Sequence, residues 1–139
     1  MFNPEMTVAA INRMSEQTLV ANLGIEFTEV GADFMCAQMP VDRRTLQPYG
    51  LLHGGASLAL AETMGSVAST ALIDLATQAA VGLEINGNHL RPVEDGVVTG
   101  TVRPIHIGRR THVWDIRIED EEGRLVNVSR LTMMIVQRT

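Results

Sequence analysis

The segment 51–66, LLHGGASLALAETMGS, decides the fold of this chain. A Gly-Gly turn leads into a long apolar helical pattern, and the only formally charged residues within 52–77 are Glu62 and Asp74. A solvent-facing helix of this length normally carries charge along its outer side. The pattern therefore predicts a central helix that the rest of the chain wraps, ending near Leu75 to Thr77.

Glu62 lies in the middle of this predicted helix. At 100° per residue, Ser66 and Ser69 fall within roughly 40° of it, so the three side chains form a narrow polar stripe. A carboxylate on an apolar helix requires either a partner or a chemical task. The residues alone leave both interpretations open: an acid paired with arginine or backbone, and a functional carboxylate.

The remaining segments are mostly strand-like. Thr7 to Gln17 predicts a short amphipathic helix with Thr7 as its N-cap. Turn-like separators divide the predicted strands, which are Ile25–Val30, Phe34–Met39, Ala80–His89, Val97–Ile107, Thr111–Glu119 and Leu125–Val136. Short connections favour antiparallel meanders over crossovers. We therefore expect a single α+β domain over residues 1–139, with an antiparallel sheet of five or six strands curled round one long helix.

Composition excludes several classes of protein. A hydrophobic content of 45% with 19% charged residues argues against disorder, and the net charge of −5 argues against a nucleic-acid surface. The chain opens without a leader pattern, and its apolar runs stay short of the roughly 18 residues that a membrane span needs. We therefore expect a cytoplasmic protein that binds neither nucleic acid nor membrane.

The basic residues are all arginine, 11 in number, which removes Schiff-base and P-loop-lysine chemistry. Several of them concentrate in one part of the sequence together with histidine: Arg91, Arg103, Arg109, Arg110, His89 and His106. An Arg/His cluster on an acidic protein suggests an anionic ligand such as phosphate or carboxylate, with a solvated rim as the alternative.

Gly54 and Gly55 leave the first N–H groups of the predicted helix uncrowded, so these donors could hold a developing oxyanion. His53, beside them, is interpreted either as a cap or as a catalyst. Seven residues separate Gly55 from Glu62, about 10 Å along a helix axis, which is too far for both to touch one reacting carbon. Two antiparallel copies of the helix about a twofold axis would close this gap.

Other catalytic patterns are missing. No Ser-His-Asp order and no H-E-x-x-H motif is recognisable, and the four histidines show no metal-ligand pairing. We therefore expect no metal.

The motifs resemble a known family. Residues 47–55, QPYGLLHGG, followed by Glu62 and Ser66, then 81–86, VGLEIN, and 88–91, NHLR, are similar to the hotdog-fold acyl-CoA thioesterases. Within that PaaI-like group they resemble the branch that holds the Arthrobacter-type 4-hydroxybenzoyl-CoA, the 1,4-dihydroxy-2-naphthoyl-CoA and the enterobactin proofreading thioesterases. The resemblance runs from about Met14 to Val136.

The resemblance implies roles for individual residues. Glu62 would act as nucleophile or general base, the Gly54 amide would polarise the thioester carbonyl, and Gln47 would orient it. Ser66 would place the water and His53 would support the arrangement. Residues implied to bind the substrate and its coenzyme A portion are Gly55, Gly82, His89, Leu90, Arg91, Pro92, His106, Ile107, Gly108, Arg109, Arg110 and Thr111.

The resemblance also implies an aromatic or medium-chain acyl-CoA substrate and no separate cofactor, because coenzyme A is part of the substrate. It implies a homodimer with composite sites that assembles into a homotetramer, and an acyl-carrier protein is a possible alternative partner. Two rival functions remain open. A hotdog hydratase or dehydratase would need a histidine base opposite the helical acid, and a non-catalytic acyl-CoA-binding protein would usually carry a DNA-binding segment.

Overall fold

A six-stranded antiparallel sheet encloses one 17-residue helix in the computed structural model, which describes all residues, Met1–Thr139. This confirms the expected α+β class. In chain order the elements are α1 (Val8–Met14), α2 (Leu19–Asn22), β1 (Glu26–Val30), β2 (Met35–Pro40), α3 (Gly54–Thr70), β3 (Gln78–His89), β4 (Val97–Ile107), β5 (Thr111–Glu119) and β6 (Leu125–Gln137).

The strand order is β1-β2-β4-β5-β6-β3, and every neighbouring pair is antiparallel. The expected meander is therefore wrong at one connection, because β5 and β6 lie between β3 and β4. The seven residues 90–96 can extend about 23 Å, whereas three strand spacings amount to about 14 Å, so a short loop makes this crossing. The consequence is that β3 forms one edge of the sheet.

Helix α3 supplies the centre of the hydrophobic core. Its side chains Leu60, Ala61, Met64 and Ala68 are fully buried. On β5, alternate residues face the same core, and these are His112, Trp114, Ile116 and Ile118, as the period-2 pattern predicts. The predicted long helix is thus wrapped by the concave face of the sheet.

The end of α3 was predicted too late, near Leu75 to Thr77. The helix ends at Thr70, and Asp74 instead organises a separate turn. Its carboxylate accepts hydrogen bonds from the Ala76 amide at 3.0 Å and the Thr77 hydroxyl at 3.0 Å. An acid that caps a local turn of this kind competes with helix continuation.

The amino-terminal helix was predicted correctly. Thr7 is the N-cap of α1, and its hydroxyl accepts from the Ala10 amide at 3.2 Å. The four-residue helix α2 was not predicted. None of the helices in the chain combines the length and the apolar character that crossing a membrane requires.

A buried hydrogen-bonded cluster fixes α3 against β5. The Trp114 Nε1–H donates to Ser69 Oγ at 2.7 Å, and His112 Nδ1 lies 3.0 Å from the same oxygen. Burial lowers the pKa of His112, whose ring also forms a hydrogen bond with the backbone of Gly108. Ser69 therefore belongs to the core, although the helical spacing placed it on the polar stripe of Glu62.

Replacement of this serine should destabilise the fold. Ser69→Ala leaves the Trp114 N–H without its acceptor in the core, and we expect the free energy of unfolding to fall by about 1–3 kcal/mol in chemical denaturation. Ser66→Ala, one turn earlier, is the matched control, because Ser66 Oγ makes only a 3.8 Å contact with Met133 Sδ. Equal losses in the two variants would contradict this role for Ser69.

Candidate functional site

The amino terminus of α3 leaves one amide free. His53 is the N-cap, and its Nδ1 accepts the Gly55 N–H at 2.7 Å. No hydrogen bond within the chain uses the Gly54 N–H. The structure therefore shows His53 in the capping arrangement and leaves Gly54 as the available donor at the positive end of the helix.

Gln47 lies in a tight loop immediately before α3. Its backbone N–H donates to the Leu51 carbonyl at 2.8 Å, and its carbonyl accepts the Gly50 N–H at 2.9 Å. The side-chain Oε1 accepts a hydrogen bond from the Tyr49 amide. Because the oxygen of the side-chain amide is occupied, its NH₂ group is the part left to donate to a ligand.

Gln47 and Gly54 share a cavity of about 320 Å³ with the segment that follows β3. The lining residues are Gln47, Leu51, Leu52, Gly54, Ser57, His89, Leu90, Arg91, Pro92 and Val126. A Cβ added at Gly54 would lie only 2.8 Å from His89 Nε2, so glycine is required for the ring to approach the helix this closely. We call Gln47, Gly54, His89 and Arg91 the entrance half-site.

Glu62 lies further along α3, half-buried and without any hydrogen-bond or ion-pair partner in the chain. Its Oε1 would be 2.5 Å from a Cβ at position 82, so Gly82 of β3 makes room for the carboxylate. Burial raises the pKa of Glu62. The arginine-paired alternative is therefore wrong within the chain, and the acid retains lone pairs for another task.

Ser66 is half-buried one turn after Glu62, on the same side of the helix. We call Glu62, Ser66 and Gly82 the carboxylate half-site. Eight residues separate Gly54 from Glu62, so the two half-sites lie about 12 Å apart along the helix axis, as the sequence leads us to expect.

The expected Arg/His cluster is divided within one chain. His89 pairs with Asn127 of β6 at one end of β3. At the other end, Val81 pairs with Met134 of β6, which in turn pairs with Thr111 of β5. The predicted coenzyme-binding turn, residues 106–111, therefore lies at the Gly82 end of the sheet. His89 is about 23 Å from Gly82 along β3, and Arg91 lies beyond the end of the strand.

Arg103 has other contacts. Its guanidinium lies 3.6 Å from the Asp33 carboxylate and 4.8 Å from the centre of the Phe34 ring. The remaining side chains of the cluster fall into two groups. His89 and Arg91 lie at the entrance half-site, whereas His106, Arg109 and Arg110 lie in the 106–111 turn, at the same end of β3 as Gly82.

Two polar residues of this region were missed in the sequence. Ser57 is 2% exposed and lines the cavity one turn after Gly54, a spacing that could have identified it. Asn127 is fully buried behind His89, and only strand register brings the two together. No three His, Cys, Asp or Glu side chains are grouped in a way that could hold a metal ion.

Comparison with known proteins assigns this chain to a family. Residues 49–127 match the thioesterase superfamily. The chain is 51% identical over 132 residues to the 1,4-dihydroxy-2-naphthoyl-CoA hydrolase of Escherichia coli, covering 95% of this chain and 96% of the relative. A crystal structure of a mutant thioesterase from Pseudomonas aeruginosa has a TM-score of 0.96 and 43% identity, with 99% of each chain covered.

A thioesterase from Staphylococcus aureus has been solved as a Gln→Ala variant and as a Glu→Ala variant. These structures share 40% sequence identity with this chain, with TM-scores of 0.82 and 0.84. They cover 84% and 86% of this chain, and this chain covers 97% and 99% of theirs. The two replaced positions are 15 residues apart, the same separation as Gln47 and Glu62.

The raised pKa of Glu62 predicts how pH affects stability. The folded chain holds this proton more tightly than the unfolded chain, so stability is lost as the pH rises from the ordinary carboxyl value of 4.5 through the raised one. Glu62→Gln should therefore be more stable than wild type at neutral pH, and the difference should vanish below pH 4.5 in denaturation curves.

Glu16→Gln, at an exposed position, is the control and should show no such gain. If wild type is more stable than Glu62→Gln at neutral pH, the prediction is wrong, because the surroundings of Glu62 then favour its charged form.

Proposed function

The chain belongs to the thioesterase superfamily and is a thioester hydrolase, and we propose that it hydrolyses an aromatic or medium-chain acyl-CoA with Glu62 as its essential carboxylate. The observation that carries this proposal is the partly buried, unpartnered Glu62 on the same helix as the free Gly54 amide. The shared Gln-to-Glu separation in the Staphylococcus aureus variants supports it.

The reaction begins with the thioester carbonyl. The Gly54 N–H, at the positive end of α3, donates to the carbonyl oxygen, and the Gln47 amide orients it. As the carbonyl carbon becomes tetrahedral, these donors stabilise the negative charge that develops on the oxygen. In well-studied hydrolases a donor of this kind contributes roughly 3–4 kcal/mol.

Glu62 then completes the hydrolysis by one of two routes. As general base it removes a proton from a water held near Ser66, and the resulting hydroxide attacks the carbonyl carbon. As nucleophile it attacks the carbon directly, and water cleaves the anhydride in a second step. In both routes the C–S bond breaks, the thiolate leaves and is protonated, and the acyl group departs as a carboxylic acid. A raised pKa makes Glu62 a better proton acceptor at neutral pH.

The complete site requires two chains. The entrance half-site of one protomer would lie beside the carboxylate half-site of its partner if two α3 helices run antiparallel about a twofold axis. Strand β3 supports this arrangement, because it is a sheet edge whose Val81 and Leu83 side chains are exposed. Pairing of two β3 edges would cover them. We propose that such dimers associate further into a homotetramer.

The same arrangement would bring the divided cationic groups together. Arg91 of one protomer and the 106–111 turn of its partner would then approach the same substrate, and we propose that they bind the coenzyme phosphates. Residues Gly55, Leu90 and Pro92 would line the channel between these groups. An acyl-carrier protein is the alternative carrier, and a cytoplasmic location stays a prediction from the sequence.

Steady-state kinetics of Glu62→Gln test this function. With a panel of aromatic and aliphatic acyl-CoAs and a free-thiol readout, we expect kcat to fall at least a hundredfold, or about 2.7 kcal/mol of transition-state stabilisation. Glu16→Gln serves as the control and should retain the wild-type rate. A folded Glu62→Gln protein with near-wild-type turnover would contradict the proposal.

A further inference from the structure

Two buried polar side chains lie directly behind His89. Asn127 is fully buried and Ser129 is 2% exposed, and both are on β6 next to the end of β3. The Ser129 hydroxyl donates to Asn127 Oδ1 at 2.6 Å. Gly87 makes room for them, because a Cβ at that position would lie 2.5 Å from Ser129 Oγ.

The orientation of the Asn127 amide indicates which nitrogen of His89 carries the proton. The amide is placed with Oδ1 toward the Ser129 hydroxyl and with Nδ2 toward His89, 3.2 Å from Nδ1. An amide NH₂ can only donate, so Nδ1 of His89 must accept. The neutral ring is therefore protonated at Nε2, on the side that faces the helix entrance.

The Nε2 atom lies beside Gly54, the residue whose amide is free. The imidazole edge approaches Gly54 so closely that a Cβ there would be 2.8 Å from Nε2, and both residues line the same cavity. A carbonyl oxygen that accepts the Gly54 N–H is consequently within the neighbourhood of a second N–H donor. The hydrogen bond from such a donor would strengthen as negative charge develops on that oxygen.

We propose that His89 donates its Nε2–H to the thioester carbonyl oxygen, and that Asn127 and Ser129 are positioning residues that hold it in this tautomer. This inference rests on the proposed thioesterase site and adds a catalytic contact to it. It gives His89 a task at the reacting carbonyl in addition to lining the coenzyme channel.

The first test is direct observation of the tautomer. In long-range ¹H–¹⁵N spectra of the wild-type protein, the neutral His89 ring should have a protonated Nε2 and an unprotonated Nδ1. His89→Ala identifies the signals by their loss. A wild-type ring protonated at Nδ1 would overturn the inference without reference to any variant of Asn127.

The second test changes residue 127 so that it favours the other tautomer of His89. In Asn127→Asp a carboxylate replaces the NH₂ group, so the neutral ring is expected to be protonated at Nδ1 and to lose its Nε2–H. The imidazolium form still carries both protons, so kcat should match that of wild type at the same acidic pH and should be at least tenfold below that of wild type at alkaline pH, with KM within twofold of wild type.

The other charged and titratable groups near His89 are Arg91, which follows it in the chain, and His53 at the start of α3. In the proposed dimer, Glu62 of the partner subunit joins them. On β6 the facing pair is Asn127 and Ser129, which are neutral. The pH profile of kcat is therefore measured in parallel for wild type, Asn127→Asp and His89→Ala. A change of rate with pH that those other groups cause should then appear in all three profiles.

A double-mutant cycle separates positioning from a structural role. Asn127→Asp should cost nothing further in a His89→Ala background, because its effect acts through that ring. Equal losses in both backgrounds, or no alkaline loss in the single variant, would overturn the inference.

If Asn127→Asp does not fold, Ser129→Ala replaces it. This variant frees the amide to rotate, and mixed His89 tautomers with lowered kcat are expected, whereas an unchanged tautomer would overturn the inference.

Glu62→Gln is assayed in the same series. An active wild type, an inactive Glu62→Gln protein and an unaffected His89→Ala protein would refute the role of His89 and leave the proposed function intact. An active Glu62→Gln protein would refute the proposed function instead.

Discussion

The rise of an α-helix constrains the whole site. Gly54 and Glu62 lie on the same rigid helix, so the free amide and the unpartnered acid are held about 12 Å apart along its axis. No rotation of side chains closes this gap around one reacting carbon. The chain therefore presents two halves of a site, and a second copy is the simplest source of the missing half.

Burial of the helix has a chemical as well as a structural effect. The same sheet that wraps α3 also removes water from Glu62, which raises the pKa of this carboxylate. A desolvated acid with no partner is costly to the fold, and acids of this kind concentrate at functional sites. Ser69, further along the helix, differs from Glu62 because its hydroxyl forms hydrogen bonds with Trp114 and His112 in the core.

Much of the fold could be predicted because the side-chain pattern is determined by local geometry. The alternation on β5 and the apolar run of α3 identified elements that the structure confirms, and the comparisons confirm the thioesterase family. The late end predicted for α3 arose because the apolar pattern continues past Thr70, whereas Asp74 closes a turn there. The meander failed because loop length does not determine which strand lies next to β3.

The site was predicted less completely. Glu62 was recognisable as an isolated acid on an apolar helix, although the residues alone left its role open. The structure places Gln47, Gly54, His89 and Arg91 around one cavity. Asn127 and Ser129 carry no local signal, since only the pairing of β3 with β6 brings them behind His89. Likewise, the separation of Arg91 from the 106–111 turn follows from strand register. The single domain over residues 1–139 and the roles of the site residues stay predictions.

Complementation between two inactive chains measures the central claim most directly. One chain carries Glu62→Gln, and the other carries Gln47→Ala together with Gly54→Ala, so each retains the half-site that the other lacks. If sites are composite, random mixing at equal amounts should restore roughly a quarter of wild-type activity, because half of the dimers are mixed and each has one intact site. No recovery, with exchange of chains verified by mass, would contradict a site shared between protomers.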